Sequence, residues 1–276
     1  MRKEVRVVNE ETKTVQITTA DERWYGRPME KKINGVPVVD YHWLPSITWI
    51  TGCLPKGKHY EEWLKENGKN ADEILRDAGE RGTKVHNAIE QLLHGVEVRM
   101  DSRYDSDNQF ILEEDHGSTL HYTEMNGEEW NAVLTWVAWW EQRTAGMKVE
   151  LIGVERSIYY YDSATKIGFG CTADLEVYLD GVYHVFDWKT SKSVYDSHRA
   201  QLSGIALAIS KEHEKPLIPK LAIVQVGYTK NKNGYKETVT SYSWDDFRLA
   251  YGCWKKLFPS TRPTQRDLPV SAKIAI

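Results

Sequence analysis

Cysteine is scarce in this chain: the three that occur, Cys53, Cys171 and Cys253, lie far apart and form no Cys-x-x-Cys pair. A disulfide framework is therefore not expected. Four cysteine ligands for a structural metal or an iron–sulfur cluster cannot come from one such chain. Long apolar runs are missing too, which argues against a membrane-spanning helix, and the N-terminal residues lack the apolar core of a signal peptide. We expect a soluble, cytoplasmic protein with no iron–sulfur cluster and no membrane partner.

A large charge of one sign is also absent. The chain has 36 Lys and Arg against 40 Asp and Glu, a net charge of −4. Such a chain is not expected to coat nucleic acid without specificity, although a local basic groove remains compatible with it. What is present is a hydrophobic fraction of 41% over 276 residues, enough for one sizeable core. Most of the 11 Trp and 15 Tyr should lie in that core, and aromatic rings can also stack on bases.

Hydrophobic periodicity divides the chain into an N-terminal β-rich extension (1–42), a main domain (43–260) and a C-terminal tail (261–276). Helical spacing occurs at residues 58–66, 70–94, 127–145, 197–212 and 244–258. Strand-like patterns occur at residues 149–190, 218–229 and 235–242. Residues 95–126 lack periodicity and are interpreted as an irregular insertion, either a mobile lid or a surface loop. This order predicts an α+β fold with a mixed central sheet flanked by helices.

A β-hairpin is the strongest local prediction. Asp180-Gly181 separates the strand-like runs CTADLEVYL and VYHVFDWK, and an Asp-Gly pair suits a tight turn that needs two positive φ angles. With a two-residue loop, counting outward places Asp174 opposite Asp187 on one face. Lys189, two residues further, shares that face.

Two opposed carboxylates repel each other unless a cation lies between them. Oxygen ligands of this kind suit Mg²⁺ or Mn²⁺. The alternative is a solvent-facing strand with ordinary surface charges. Asp187 argues against that alternative because the run VYHVFDW is apolar enough to be central in a sheet.

At these residues the sequence resembles the PD-(D/E)XK nuclease superfamily. Asp174, then Asp187-Trp188-Lys189, matches the pattern Gly-x-x-Asp followed by Asp-x-Lys, with Cys171 at the glycine position. Thr190-Ser191-Lys192 continues the DWKTSK form of the RecB-like branch. The resemblance implies an α/β restriction-endonuclease-like core, and it makes residues 43–260 the nuclease domain.

Further segments resemble the same branch and occur in the family's order. They are the helix motif from Arg81 to His86 (RGTKVH), Glu155 before the first core strand, Gln201-Leu202 of a QLxxY element whose tyrosine is replaced near Ile205, and residues 44–48 (LPSIT), which are similar to the opening of phage-encoded and mitochondrial-maintenance-type exonucleases. Without the cysteines of the cluster-carrying members, the chain resembles the cluster-free kind.

The resemblance implies roles for individual residues. Asp174, Asp187 and the backbone carbonyl of Trp188 are expected to bind Mg²⁺ or Mn²⁺, and Lys189 to orient the nucleophile or stabilise developing charge. His86 is expected as a further ligand, although a lone helical histidine is more often structural. For Glu155 two interpretations stay open, a metal-site carboxylate and a surface strand charge.

For the remaining candidates two interpretations stay open, a role in binding or positioning and a solvated surface group without a role. Gln201 is expected to position Lys189 or a phosphate. Contacts with nucleic acid are expected from Arg81, Thr190, Ser191, Lys192, His198 and Arg199.

The function implied is a metal-dependent DNA exonuclease acting on single strands or DNA ends, in replication, recombination or phage DNA processing, with replication or recombination proteins as partners. Two alternatives stay open: an endonuclease of the same superfamily, and a non-catalytic nucleic-acid-binding subunit with a vestigial site.

Overall fold

The computed structural model describes residues 4–19, 22–33, 36–112, 121–212 and 218–264. Over these residues the protein is a mixed α/β structure with two β-sheets and six α-helices, and its helices and strands follow the mixed order that the sequence predicts. Among them, no helix combines the length and the apolar character that crossing a bilayer requires.

The first sheet is an antiparallel meander in the order β1-β2-β3-β4. Its strands are Glu4–Asn9, Thr14–Thr18, Arg23–Ile33 and Val36–Pro45. The long strand β3 was not predicted, because RWYGRPMEKKI has a proline, a glycine and several charges and shows no alternation. It pairs with β4 from Trp24↔Pro45 to Ile33↔Val36, so this sheet continues past residue 42, the expected limit of the N-terminal extension.

The second sheet has the order β5-β6-β7-β8-β9 and holds the predicted hairpin. Its strands are Val149–Asp162, Ile167–Leu179, Val182–Lys189, Lys220–Val226 and Tyr235–Thr240. All neighbours are antiparallel except β7 and β8, which are parallel. The sheet is therefore mixed, as the sequence predicts.

The described residues form six α-helices. They are α1 Ile47–Thr51, α2 Lys58–Asn67, α3 Ala71–Leu93, α4 Gly127–Thr144, α5 Asp196–Glu212 and α6 Trp244–Leu257. Five of them lie within a residue or two of their predicted limits. The short α1 was not predicted; the side chain of Ser46 caps it by accepting a hydrogen bond from the Trp49 N–H at 3.1 Å.

Two hydrophobic cores are present, and β7 contributes to both. Val185 packs in the first core with residues of α1, α5 and α6. Phe186 and Trp188 pack in the second core with residues of α3 and α4. Successive residues of a strand alternate between its faces, so helices cover the sheet on both sides.

The first sheet packs against β6 through a glycine. A Cβ atom added to Gly170 would lie 2.0 Å from Cγ of Tyr25, so only glycine admits this ring. The Tyr25 hydroxyl also lies 3.2 Å from Oγ1 of Thr172 and accepts a hydrogen bond from Gln16 at 2.7 Å. The N-terminal sheet is thereby attached to β6 a few residues before Asp174.

Residues 95–112 and 121–126, the described parts of the predicted insertion, form no helix or multi-residue strand. Three of their side chains are nevertheless buried in the second core: Val98, Tyr104 and Met125. The segment is irregular as predicted, but it also supplies core residues that neither a mobile lid nor a plain surface loop would supply.

Candidate active site

The predicted hairpin has the expected turn and register. Asp180 and Gly181 have φ angles of 48° and 76°, and the pairing runs from Leu179↔Val182 to Leu175↔Phe186. Both positive angles fit the tight turn that an Asp-Gly pair favours.

The backbone pairing of β6 and β7 ends just before the two aspartates. There the Trp188 N–H donates to the side-chain Oδ2 of Asp174 at 2.9 Å, in place of a main-chain acceptor. The regular pairing that would place Asp174 opposite Asp187 therefore stops one step short of them, although Asp174 stays close enough for its charge to raise the pKa of Asp187. The carboxylate of Asp174 lies against the edge of β7, and the two aspartates have different partners.

The strand β6 changes the face it presents at this point. Ala173 belongs to the first core and Leu175 to the second, although residues two apart on a regular strand share a face. The neighbouring β5 behaves alike: Val154 packs on the second core and Ile158 on the first. Regular alternation, which the sequence argument assumed, fails on both strands next to Asp174.

Glu155 marks the irregular point on β5. Its φ of 45° lies in the left-handed region, which a non-glycine residue occupies at a cost of about 1–3 kcal/mol. It falls between the pairs Val154↔Leu175 and Arg156↔Ala173, hence opposite Asp174. Such outliers concentrate where a side chain has to be aimed for function.

His86 on α3 links these strands. Its Nδ1 lies 3.0 Å from Oε1 of Glu155 and 3.8 Å from Oδ2 of Asp174, and its Nε2 lies 3.2 Å from the main-chain O of Trp188. Burial lowers the pKa of His86, but the carboxylates of Asp174 and Glu155 outweigh burial and raise it to about 9. Without a metal ion, a protonated imidazole can donate to both Glu155 and Trp188.

Asp187 pairs with Lys189. The Lys189 Nζ lies 2.8 Å from both carboxylate oxygens and donates a hydrogen bond to Oδ1. Oδ2 is buried and accepts no hydrogen bond among the described residues. Burial raises the pKa of Asp187 despite the attraction of Lys189, and burial likewise raises the pKa of Asp174 despite His86.

The carboxylates of this site are in excess over its cations. Glu155, Asp174 and Asp187 carry three negative charges when ionised, against His86 and Lys189. Burial lowers the pKa of Lys189, but the charges of Asp187 and Asp174 outweigh burial and raise it. An additional cation bound here would balance the remaining carboxylate charge and so stabilise the buried group.

One group of residues could hold that cation. The ligand atoms of His86, Glu155 and Asp174 all lie within 4.8 Å of one another. The carbonyl oxygen of Trp188, 3.2 Å from Nε2 of His86, adds a fourth atom that could bind the ion. The structure thus brings together the predicted His86, Asp174 and Trp188 and includes Glu155, whose side chain is only 20% exposed. Asp187 adjoins this group but pairs with Lys189.

Gln201 has a different environment from the one predicted. It is half-buried on α5, and among the described residues its side chain accepts no hydrogen bond from the Lys189 ammonium. Ile205, where the family's tyrosine would fall, is a buried residue of the first core. The predicted positioning of Lys189 by Gln201 is therefore not seen.

The residues predicted to contact nucleic acid differ in their partners and exposure. Arg81 forms an ion pair of 2.9 Å with Glu128, and Arg199 forms one of 2.7 Å with Asp196. Lys192 is exposed. Thr190 and Ser191 form the turn after β7, with the Ser191 hydroxyl donating to the Ser193 carbonyl at 2.8 Å.

His198 at the start of α5 lies close enough to Lys189 and Asp187 to interact with them electrostatically. Burial and the charge of Lys189 lower the pKa of His198 to about 4, so this imidazole is neutral near pH 7. Its Nδ1 accepts the Tyr195 N–H at 3.4 Å. A neutral donor beside the Asp187–Lys189 pair is available to a polar ligand.

Gln225 is a residue that the sequence argument missed. It lies beside Lys189 in the parallel pairing of β7 and β8, is only 2% exposed, and donates to the Ser191 carbonyl at 2.8 Å. It thereby fixes the turn that follows Lys189. Its signal was visible, since it is the single polar residue inside the apolar run LAIVQV.

Comparison with known proteins adds no further assignment to this geometry. No protein-family model matches the sequence, and no curated protein matches it.

Proposed function

We propose that this protein is a divalent-metal-dependent deoxyribonuclease of the PD-(D/E)XK type, with a restriction-endonuclease-like core formed by the second sheet. The observation that carries the proposal is the grouping of His86, Glu155 and Asp174 within 4.8 Å beside the buried Asp187–Lys189 pair. The motif residues come from separate parts of the chain. Three irregularities meet at them: the end of the β6–β7 pairing, the change of face on β6 and the left-handed backbone of Glu155 on β5. A surface cluster of charges would need neither the burial nor the distorted backbone.

The donor atoms fit Mg²⁺ or Mn²⁺. Carboxylate and carbonyl oxygens suit both ions, and the imidazole of His86 favours Mn²⁺. His86, Glu155, Asp174 and the Trp188 carbonyl would hold the ion, and Asp187 would lie next to it. The bound ion supplies Lewis-acid activation of water and neutralises charge on the scissile phosphate.

The side chains around this centre have separate tasks. Lys189, held by Asp187 at 2.8 Å, presents an ammonium group that stabilises negative charge developing on the phosphate. Before an ion binds, Glu155 holds the His86 ring in place through the 3.0 Å contact at Nδ1. Gln225 donates to the Ser191 carbonyl and so fixes the turn after Lys189. The main-chain and hydroxyl groups of that turn then meet the DNA strand in one position.

Single-stranded DNA with a free end is the proposed substrate. The net charge of −4 disfavours tight nonspecific binding of long duplex, which depends on many phosphate contacts. A threaded single strand needs only a local set of cations and aromatic rings. The second candidate is an endonuclease with the same centre, since the site chemistry is common to both.

Digestion of end-labelled linear and circular single strands in Mn²⁺ or Mg²⁺ tests the proposal. We expect metal-dependent cleavage of the linear strand, slow cleavage of blunt duplex, and resistance of the circle. Rapid cleavage of circles would favour the endonuclease and leave the metal centre in place. Absence of metal-dependent cleavage of every substrate, with the protein folded, would support the non-catalytic binding subunit instead.

A further inference from the structure

A second cavity lies away from the metal centre. It has a volume of about 410 Å³ and is enclosed by β4, the turn between β5 and β6, α6 and the segment after α6. Its floor consists of the buried residues Trp24, Leu44 and Trp254. Its walls are rich in aromatic rings: Tyr41, His42, Trp43, Tyr161, Tyr251 and Phe258. We call this cavity the aromatic pocket.

Tyr161 presents the most exposed ring of these walls, with 43% of the residue accessible. Its ring meets His42 edge-on, with centroids 4.9 Å apart and planes at 84°. A Cβ atom on Gly168 would lie 2.7 Å from the Tyr161 ring, so Gly168 makes room for it. The Gly168 N–H also donates to the Tyr251 hydroxyl at 3.3 Å. The ring of Tyr161 is thus held from the side while much of its surface stays open.

The charge around the aromatic pocket is positive. Lys166, Lys255 and Arg262 line it and are exposed, whereas Asp40 is the only carboxylate among the described residues of its lining. Asp40 is already paired with Lys31 at 3.3 Å. A concentration of cations in a protein of net charge −4 attracts an anionic ligand to this place.

We propose that the aromatic pocket is a second contact for single-stranded DNA, in which a base stacks on Tyr161 while Lys166 and Lys255 contact flanking phosphates. Aromatic faces combined with cations are the elements by which single strands are bound without sequence preference. The inference rests on the proposed nuclease function, because it takes the strand that enters the metal centre as its ligand.

The spacing sets the length of strand needed. Gly168, beside the aromatic pocket, and Asp174 are six positions apart on β6. At about 3.3 Å per residue this is roughly 20 Å along β6. Because Tyr25 packs on Gly170 between the two places, a bound strand needs at least about six nucleotides at the 3.4 Å rise of a stacked strand. A short oligonucleotide in the metal centre cannot reach the aromatic pocket, whereas a longer one can occupy both.

Fluorescence anisotropy with labelled dT4 and dT15 in Mn²⁺, with every variant carrying Asp187→Asn so that no cleavage occurs, tests this proposal. Tyr161→Ala should weaken dT15 binding about fivefold to a hundredfold, the range for loss of one stacked base, and leave dT4 binding unchanged. Tyr161→Phe keeps the ring and should retain the affinity. Lys166→Ala/Lys255→Ala should reduce the slope of log affinity against log salt by about 1.4 for dT15.

The matched control is Lys148→Ala/Lys220→Ala, which removes two exposed lysines at the opposite end of the second sheet. It should leave dT15 binding unchanged. Wild-type affinity of Tyr161→Ala for dT15, or an equal loss for dT4 and dT15, would overturn the proposal. Cleavage is scored separately: if wild-type protein cuts no strand in Mn²⁺ while Tyr161→Ala still selectively loses dT15, the aromatic pocket stands and the nuclease function fails.

Discussion

His86 and Glu155 are joined by a 3.0 Å contact between Nδ1 and Oε1, although they are 69 positions apart in the chain. This contact connects α3 to the irregular point of β5. The Nδ1 atom of His86 thus faces the carboxylates of Glu155 and Asp174, and its Nε2 faces the Trp188 carbonyl at 3.2 Å. The pair is therefore the direct way to test whether the centre binds a metal.

Replacement of His86 by alanine should remove the response of the protein to Mn²⁺. Wild-type protein should melt at a higher temperature in Mn²⁺ than in EDTA, because the ion binds the folded state. His86→Ala should lose most of this increase, with Mn²⁺ affinity reduced at least about tenfold. It should also melt earlier in EDTA, because Glu155 and Asp174 lose their partner. His94→Ala, an exposed position just after the same helix, is the control. Differential scanning fluorimetry measures both, and an unchanged Mn²⁺ response would make His86 purely structural.

Asp187→Asn should abolish cleavage without unfolding the protein. Burial raises the pKa of Asp187, so its ionised form is less favoured in the fold than in the unfolded chain. A neutral amide avoids that cost at pH 7, and the melting temperature in EDTA should not fall by much. Asp245→Asn, on the exposed first turn of α6, should retain wild-type cleavage. Residual Mn²⁺-dependent turnover near the wild-type rate in Asp187→Asn would rule out its proposed role.

Arg156→Leu should destabilise the fold through a buried carboxylate. Arg156 Nε and Nη2 lie 2.6 and 2.9 Å from the oxygens of Glu176, which is 0% exposed and also accepts from the Tyr183 hydroxyl. Removing one partner of a buried pair costs about 3–5 kcal/mol, and the partial exposure of Arg156 favours the lower end. Urea unfolding measures the loss. The double variant Arg156→Leu/Glu176→Leu should lose less, and an equal or greater loss would contradict this account.

Gly170→Ala should weaken the attachment of the first sheet. The added Cβ would lie 2.0 Å from the Tyr25 ring, and overpacking of this kind costs about 1–3 kcal/mol or more. Gly252→Ala is the matched control, because nothing lies within 4 Å of its Cβ position inside α6. That change should stabilise the protein by up to about 1 kcal/mol. Equal effects of the two substitutions on the free energy of unfolding in urea would contradict this account and show that the Tyr25 ring moves aside at little cost.

The sequence predicted the elements of the second sheet and its helices well, because their patterns are local. Asp180-Gly181 determined the hairpin register, and hydrophobic spacing determined the helices. Strand β3 was missed because its stabilisation comes from pairing with β4 and not from its own composition.

The residues of the candidate site could be predicted more fully than its geometry. His86, Asp174 and Trp188 do come together, and Asp187 forms an ion pair with Lys189, which was expected on the same face. The regular alternation assumed back from Leu179 does not extend to Asp174. The break in alternation at Asp174 and Glu155 depends on the packing of two cores against the sheet, which no short stretch of sequence encodes.

The attachment of Tyr25 to Gly170 and Thr172 has a consequence for synthesis on the ribosome. Tyr25 and Thr172 are separated by 147 positions, so at about 5–20 residues per second the partner strand emerges roughly 7–30 s after Tyr25. During that interval the apolar side of the first sheet, including Trp24, lacks the surface that later covers it. Nascent chains should therefore expose an apolar β-meander, and chaperone binding to this stretch would protect it from aggregation until β6, and then α6 with Trp254, are translated.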